Sequence, residues 1–194
     1  MSIAAIILVV TVATSLAGLY GSPKIIEQSL FRPYWFLRRK QYATIVTSGL
    51  VHADLPHLIF NMITLYSFGQ AMERYFSARI TPVGYLLFYL SAVVIAILPT
   101  FMKHRHDASY RSLGASGAVS AVLFASILLD PWSGIYLFLI PIPIPAFVFA
   151  GLYIWYNMWM DRRGGDNINH SAHLWGALYG MVFTLLQQPD LAGR

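Results

Sequence analysis

The chain has 194 residues, 57% of them hydrophobic and only 11% charged, with a mean hydropathy of +0.59. A soluble domain carries about 25% charged residues, so this composition excludes an ordinary soluble domain and reads as an integral membrane protein. The lack of cysteine excludes disulfides, cysteine-ligated zinc and a thiol nucleophile. The net charge of +5 falls mostly in connecting segments and points to anionic lipid headgroups, with no platform for nucleic acid.

Six apolar stretches are predicted along one domain, residues 1–194, giving an all-α six-transmembrane-helix bundle with a long first loop. The first, about Ile3 to Tyr20, lacks a preceding basic segment and reads as a retained span, not a cleaved signal peptide. The connection from Gly21 to Pro56 mixes aromatic and basic residues, which suits the headgroup region, and loops this long are uncommon unless functional. The second span starts at Asp54, an N-cap with Pro56 in the first turn, and ends at Glu73-Arg74. The third runs from Thr81-Pro82 to Phe101, followed by a polar loop from Met102 to Leu113. The fourth, about Ala115 to Leu129, is short. Pro131 to Pro145 cannot be regular helix, because proline removes donors and clashes with the preceding turn. A fifth span covers Ala146 to Trp159, Asp161 to Asn169 is a polar loop, and the sixth span covers Ser171 to Gln187. All eight carboxylates fall at predicted helix ends or in loops, which weighs against an ion-coupled carrier.

Ser116 and His173 each precede a helix stop, Asp130 and Gln187, by 14 residues. At about 1.5 Å per residue that is about 21 Å, inside a hydrocarbon core about 30 Å thick. A hydroxyl and an imidazole therefore share one depth, as a buried nucleophile and base would. In Gly114-Ala115-Ser116-Gly117 the serine opens a helix, with free N–H groups and the positive dipole end beside it. The same tetrapeptide also serves as a small-residue packing patch. It is not the nucleophile elbow of soluble hydrolases, because Ala118 replaces the last glycine. Near His173, Gly176 and Gly180 form a close-packing face, which Gly117, Ala118 and Ala121 match. Packing those faces is expected to bring the Ser116 hydroxyl within hydrogen-bond reach of His173, which could otherwise simply cap its helix. His57 and Asn61 lie four apart on one helical face at nearly the same level. They suit an oxyanion hole or, failing that, interhelical hydrogen bonding. His52 reads as a loop residue.

Together, His52, His57 and Asn61, the Gly114–Gly117 motif, Ala172-His173 with Gly176 and Gly180, and Glu73 closing the second span resemble the rhomboid intramembrane serine proteases across all six spans. The resemblance implies Ser116 as nucleophile and His173 as general base, a dyad without an acidic third member. It implies that His57, Asn61 and the Ser116 N–H hold the oxyanion, with Gly114 in the same oxyanion and substrate-binding group. The substrates implied are transmembrane segments of other proteins, cut within the lipid bilayer without metal or cofactor. Two departures stand out: Ala43-Thr44 where relatives often carry Trp-Arg, and Ser120 where many carry a tyrosine beneath the histidine. The second implies a weaker catalyst or a different support for His173. The brevity of the chain suggests a bacterial inner membrane.

Ten of the 13 basic residues lie on the side of the predicted active face, which the positive-inside rule places in the cytoplasm. Resemblance to bacterial rhomboids places that face outside, and the long first loop need not obey the charge rule. Two alternatives remain at this stage: an inactive rhomboid-like protein that binds transmembrane helices, and a metal or solute carrier using His52, His57, His104, His106, His170 and His173.

Overall fold

The computed structural model describes residues 1–137 and 142–193. Helix α1 (Ile3–Leu16) runs on into a π-helical turn, Ala17–Gly21. Ala4, Ile7, Thr11 and Ser15 form its buried stripe, three to four apart as helical geometry requires, while Ile6, Val9 and Val10 face outward. The first connection is not an open loop. It folds into α2 (Pro23–Ser29), α3 (Pro33–Arg38), α4 (Thr44–Thr47) and a 3-10 turn, Ser48–Leu50. Pro23 and Pro33 each sit in a first turn, where the missing N–H costs no hydrogen bond. The Arg38 and Arg39 guanidinium groups lie 4.0 and 3.9 Å above the Tyr34 and Trp35 rings, a pairing at home near headgroups.

Helix α5 (Leu55–His104) starts where expected, with Asp54 Oδ1 accepting the His57 N–H at 2.8 Å. Its expected end at Glu73-Arg74 is not observed. The helix continues through Ile80 and breaks at Thr81 (φ 76°, ψ 161°), a left-handed φ that costs a β-branched residue energy. Charged side chains do not stop a helix whose backbone donors are intact, whereas Pro82 cannot donate and forces the break. Thr81 Oγ1 then accepts the Gly84 N–H at 3.3 Å, and the second segment reaches His104, beyond the expected Phe101. Glu73 therefore lies within a helix, not at its end. Its two carboxylate oxygens accept the Ile3 and Ala4 N–H groups at 2.8 Å each, satisfying the free donors and positive dipole of α1.

Helix α6 (Ser116–Leu129) matches expectation, and residues Gly117 to Ala125 are buried all round, so it is the central post of the bundle. Strands β1 (Gly134–Ile135) and β2 (Ile144–Pro145) pair antiparallel. That agrees with a non-helical Pro131–Pro145 segment, of which 138–141 lie outside the described residues. Helix α7 (Ala146–Arg163) runs four residues past the expected Trp159. Helix α8 (His170–Gln187) starts with Asn169 Oδ1 accepting the Ala172 N–H at 3.0 Å. The core lies between α5, α6 and α8, around Leu65, Phe76, Tyr85, Phe88 and Val122. Helix α7 leans on α8 and turns Phe147, Leu152, Trp155 and Trp159 outward. Ile3–Gly21 and Leu55–His104 are long and apolar enough to cross a membrane, while Ser116–Leu129 is apolar but shorter.

Candidate active site

The segment leading into Ser116 is tied down by the first connection. Phe31 and Ser112 exchange N–H···O=C bonds of 3.0 Å, the Gly114 N–H donates to Ser48 O at 2.8 Å, and the Ala115 N–H donates to His52 Nε2 at 3.3 Å. Gly114 has φ +124°, a conformation that glycine adopts without a Cβ penalty. A Cβ there would also lie 2.7 Å from His57 Cε1. With its N–H committed to Ser48, Gly114 has no donor to offer an oxyanion. It supplies the turn that presents Ser116.

His52 lies in a loop, as expected, but it is not a surface residue. It is fully buried and accepts from Ala115 through Nε2. It therefore carries its proton on Nδ1, which donates to Ser15 Oγ at 3.1 Å. One ring thus joins α1, the first connection and the turn that carries Ser116. A histidine two residues before an N-cap aspartate gave no sign of this, because its partners lie 37 and 63 residues away.

The close-packed faces meet as expected. A Cβ on Gly176 would collide with the Gly117 carbonyl oxygen, and one on Gly180 with the Ala121 carbonyl oxygen. Backbone-to-backbone approach of this kind replaces the hydrophobic drive that is missing between helices in lipid. Ser116 and His173 consequently line one cavity of ≈ 1090 Å³, with His57, Asn61, Ser120 and Tyr153. The expected hydrogen bond between Ser116 and His173 is not formed: His173 Nε2 has no partner among the described residues. Both residues line the cavity, but no hydrogen bond joins them.

The other side of the imidazole is fully engaged. His173 Nδ1 lies 2.9 Å from Asn157 Oδ1, and the ring stacks on Tyr153 at 6.1 Å between centroids, 29° from parallel. Both partners are on α7, four residues apart. Tyr153 supplies the ring that Ser120 lacks, and the two hydroxyls are bonded at 2.6 Å. Neither residue was singled out in the sequence. Asn157 is the one amide in an apolar span, and a polar residue there is a signal worth following. Tyr153 carries no such mark among the many rings of that segment.

Asn61 Nδ2 donates to the His57 carbonyl at 2.9 Å, leaving its second hydrogen for the cavity. His57 Nε2 is buried without a partner. At the cavity rim, burial alone would raise the Asp166 carboxyl, but hydrogen bonds from His170 and the Ile168 N–H outweigh it and hold the group below the ordinary carboxylate range. Burial pushes the Tyr110 phenol up to about 12. Among the described residues no three acidic, histidine or cysteine groups gather as a metal site.

A first-turn serine and a histidine thus line one cavity in a bundle whose helices α6 and α8 pack through glycine. The rhomboid domain family matches residues 39–189, and the chain belongs to this family of integral membrane proteins. RHOMBOID-like protein 12, mitochondrial, of Arabidopsis thaliana is 35% identical over 150 residues, covering 72% of this chain and 44% of that protein. Rhomboid protein 1, mitochondrial, of Saccharomyces cerevisiae is 29% identical over 174 residues, covering 86% and 48%. Rhomboid protease GluP of Bacillus subtilis is 37% identical over 82 residues, 42% of this chain and 14% of that one. The chain spans about half the length of the first two. Their mitochondrial names lend no support to a bacterial inner membrane in particular.

Proposed function

We propose that this protein is an intramembrane serine endopeptidase, a single domain of six membrane crossings that cuts transmembrane segments of other proteins. The observation that carries the reading is the shared cavity: Ser116 stands at a helix N-terminus facing His173, whose Nδ1 is held and whose Nε2 is unpartnered. An unwound substrate strand beside Ser116 lets its Oγ attack a carbonyl carbon while His173 Nε2 takes the hydroxyl proton. The oxyanion accepts hydrogen bonds from the Ser116 N–H, His57 and Asn61, donors fixed before charge develops. His173 passes the proton to the leaving amine, the C–N bond breaks, and a water deprotonated by His173 then hydrolyses the acyl ester. Irregular backbone around Gly114 is tolerable at this depth because it lines the cavity.

The test is cleavage of a transmembrane substrate by the reconstituted protein, compared with Ser116→Ala and His173→Ala. Activity lost in both variants supports the reading, and equal cleavage by all three proteins ends it. The missing Ser116–His173 hydrogen bond favours a second reading, in which the protein binds transmembrane helices without cutting them. Under that reading, substrate is captured equally by wild type and Ser116→Ala and is cut by neither.

A further inference from the structure

We propose that Asn157 and Tyr153 are the positioning residues of His173, making the unit Ser116–His173–Asn157 rather than a bare dyad. The inference rests on the protease reading and deepens it.

Hydrogen-bond accounting gives the roles. The Asn157 NH2 group donates to the Tyr153 carbonyl at 2.8 Å, and a carbonyl can only accept. The amide therefore has one orientation that satisfies both ends, with Oδ1 toward the imidazoles. Oδ1 can only accept, so the His173 nitrogen 2.9 Å away must be the protonated one, Nδ1–H. The lone pair of the neutral ring then resides on Nε2, the nitrogen without a partner among the described residues and the only one able to take a proton from Ser116. Without an acceptor at Nδ1, nothing selects that tautomer. Asn157 is only 2% exposed, so water does not offer a substitute acceptor.

A second set of bonds fixes the ring plane. Ser120 Oγ donates to the Ser116 carbonyl at 2.7 Å, which uses its single proton. The Tyr153 hydroxyl must therefore be the donor in the 2.6 Å bond to Ser120 Oγ. That bond clamps the Tyr153 ring between α6 and α7 and parallel to the imidazole. His170 completes the frame. It shares Asn157 Oδ1 through Nδ1 at 2.8 Å and reaches Asp166 through Nε2 at 3.0 Å, so the asparagine is braced from the α8 side too. A helix with few inward residues, α7, thus spends its two inward polar groups on one histidine.

The experiment uses the full chain in liposomes with a transmembrane peptide substrate. Asn157→Leu keeps the branched shape, at somewhat larger volume, and removes the acceptor, whereas Asn157→Asp keeps an acceptor. Asn157→Leu is expected to lower kcat about 10- to 100-fold, part of what a positioned general base supplies, with KM unchanged. Modification of Ser116 by a fluorophosphonate should slow in parallel. Asn157→Asp should recover most of the loss. The 15N spectrum of His173 should report protonated Nδ1 in wild type and a mixture of tautomers in Asn157→Leu. Wild-type kcat in folded Asn157→Leu, or equal loss in the leucine and aspartate variants, overturns the proposal. Should Asn157→Leu not fold, Tyr153 decides. Tyr153→Leu, which loses both ring and clamp, is expected to lose about tenfold in kcat, and Tyr153→Phe, which loses only the hydroxyl clamp, to lose less; wild-type kcat in both refutes the positioning role. Ser116→Ala run alongside separates the two levels: if it still cleaves, the protease reading itself has failed, whatever the Asn157 variants do.

Discussion

Replacing Gly176 by alanine adds one methyl group where α8 has room for none. The new Cβ would collide with the carbonyl oxygen, carbonyl carbon and Cα of Gly117, all backbone atoms that no rotamer change can move aside. An ordinary carbon-to-oxygen contact is about 3.3 Å, so restoring it requires α6 and α8 to part by on the order of 1 Å. Overpacking of this kind costs about 1–3 kcal/mol. The larger effect falls on chemistry, because Gly117 follows Ser116 directly and a displacement of about 1 Å at a reacting pair costs about 100-fold in rate. Gly180→Ala meets Ala121 in the same way one turn away and is expected to cost similar stability but less activity. Gly151→Ala is the control. Its Cβ meets nothing within 4 Å, and alanine gains about 0.5 kcal/mol over glycine inside a helix. The assay is thermal unfolding in detergent together with cleavage in liposomes. A Gly176→Ala protein with wild-type melting and wild-type turnover would refute the claim that backbone contact between α6 and α8 sets the geometry of the site.

His52→Ala leaves the Ala115 N–H without its acceptor and opens a cavity beside Ser15. A loss of about 2–4 kcal/mol is expected, with turnover falling as the Ser116 turn loosens; an unchanged melting temperature would count against this brace. The depressed Asp166 carboxyl contributes stability above its unfolded-state pKa, about 3.9, and loses it as the pH falls through the lower folded-state value. Wild type should therefore lose more stability on acidification than Asp166→Asn, and parallel curves would exclude a contribution from the Asp166–His170 bond. The active face is expected to lie outside, so Ser22→Cys should react with an impermeant thiol reagent in intact cells. Labelling only after lysis would place that face in the cytoplasm, as the basic residues alone suggest.

The local grammar of the chain was legible because it depends on residues close in sequence. Asp54 caps α5 and Ser116 opens α6, each through contacts within about one turn. The glycine faces of α6 and α8 were legible too, since helical periodicity alone puts Gly176 and Gly180 on one side. The Glu73 reading failed for a physical reason. A carboxylate looks like a helix terminus until its partner is known, and that partner is the N-terminus of α1, 69 and 70 residues away. Asn157 and Tyr153, and the bracing contacts of His52, were missed on the same ground, because they exist only when distant segments meet. Composition and periodicity therefore determined that the chain is a helical membrane protein and pointed to the hydroxyl and imidazole that line one cavity. Tertiary structure alone decided what holds them, because the tautomer and tilt of a buried ring are set by whichever acceptor and ring the neighbouring helix brings within bonding distance.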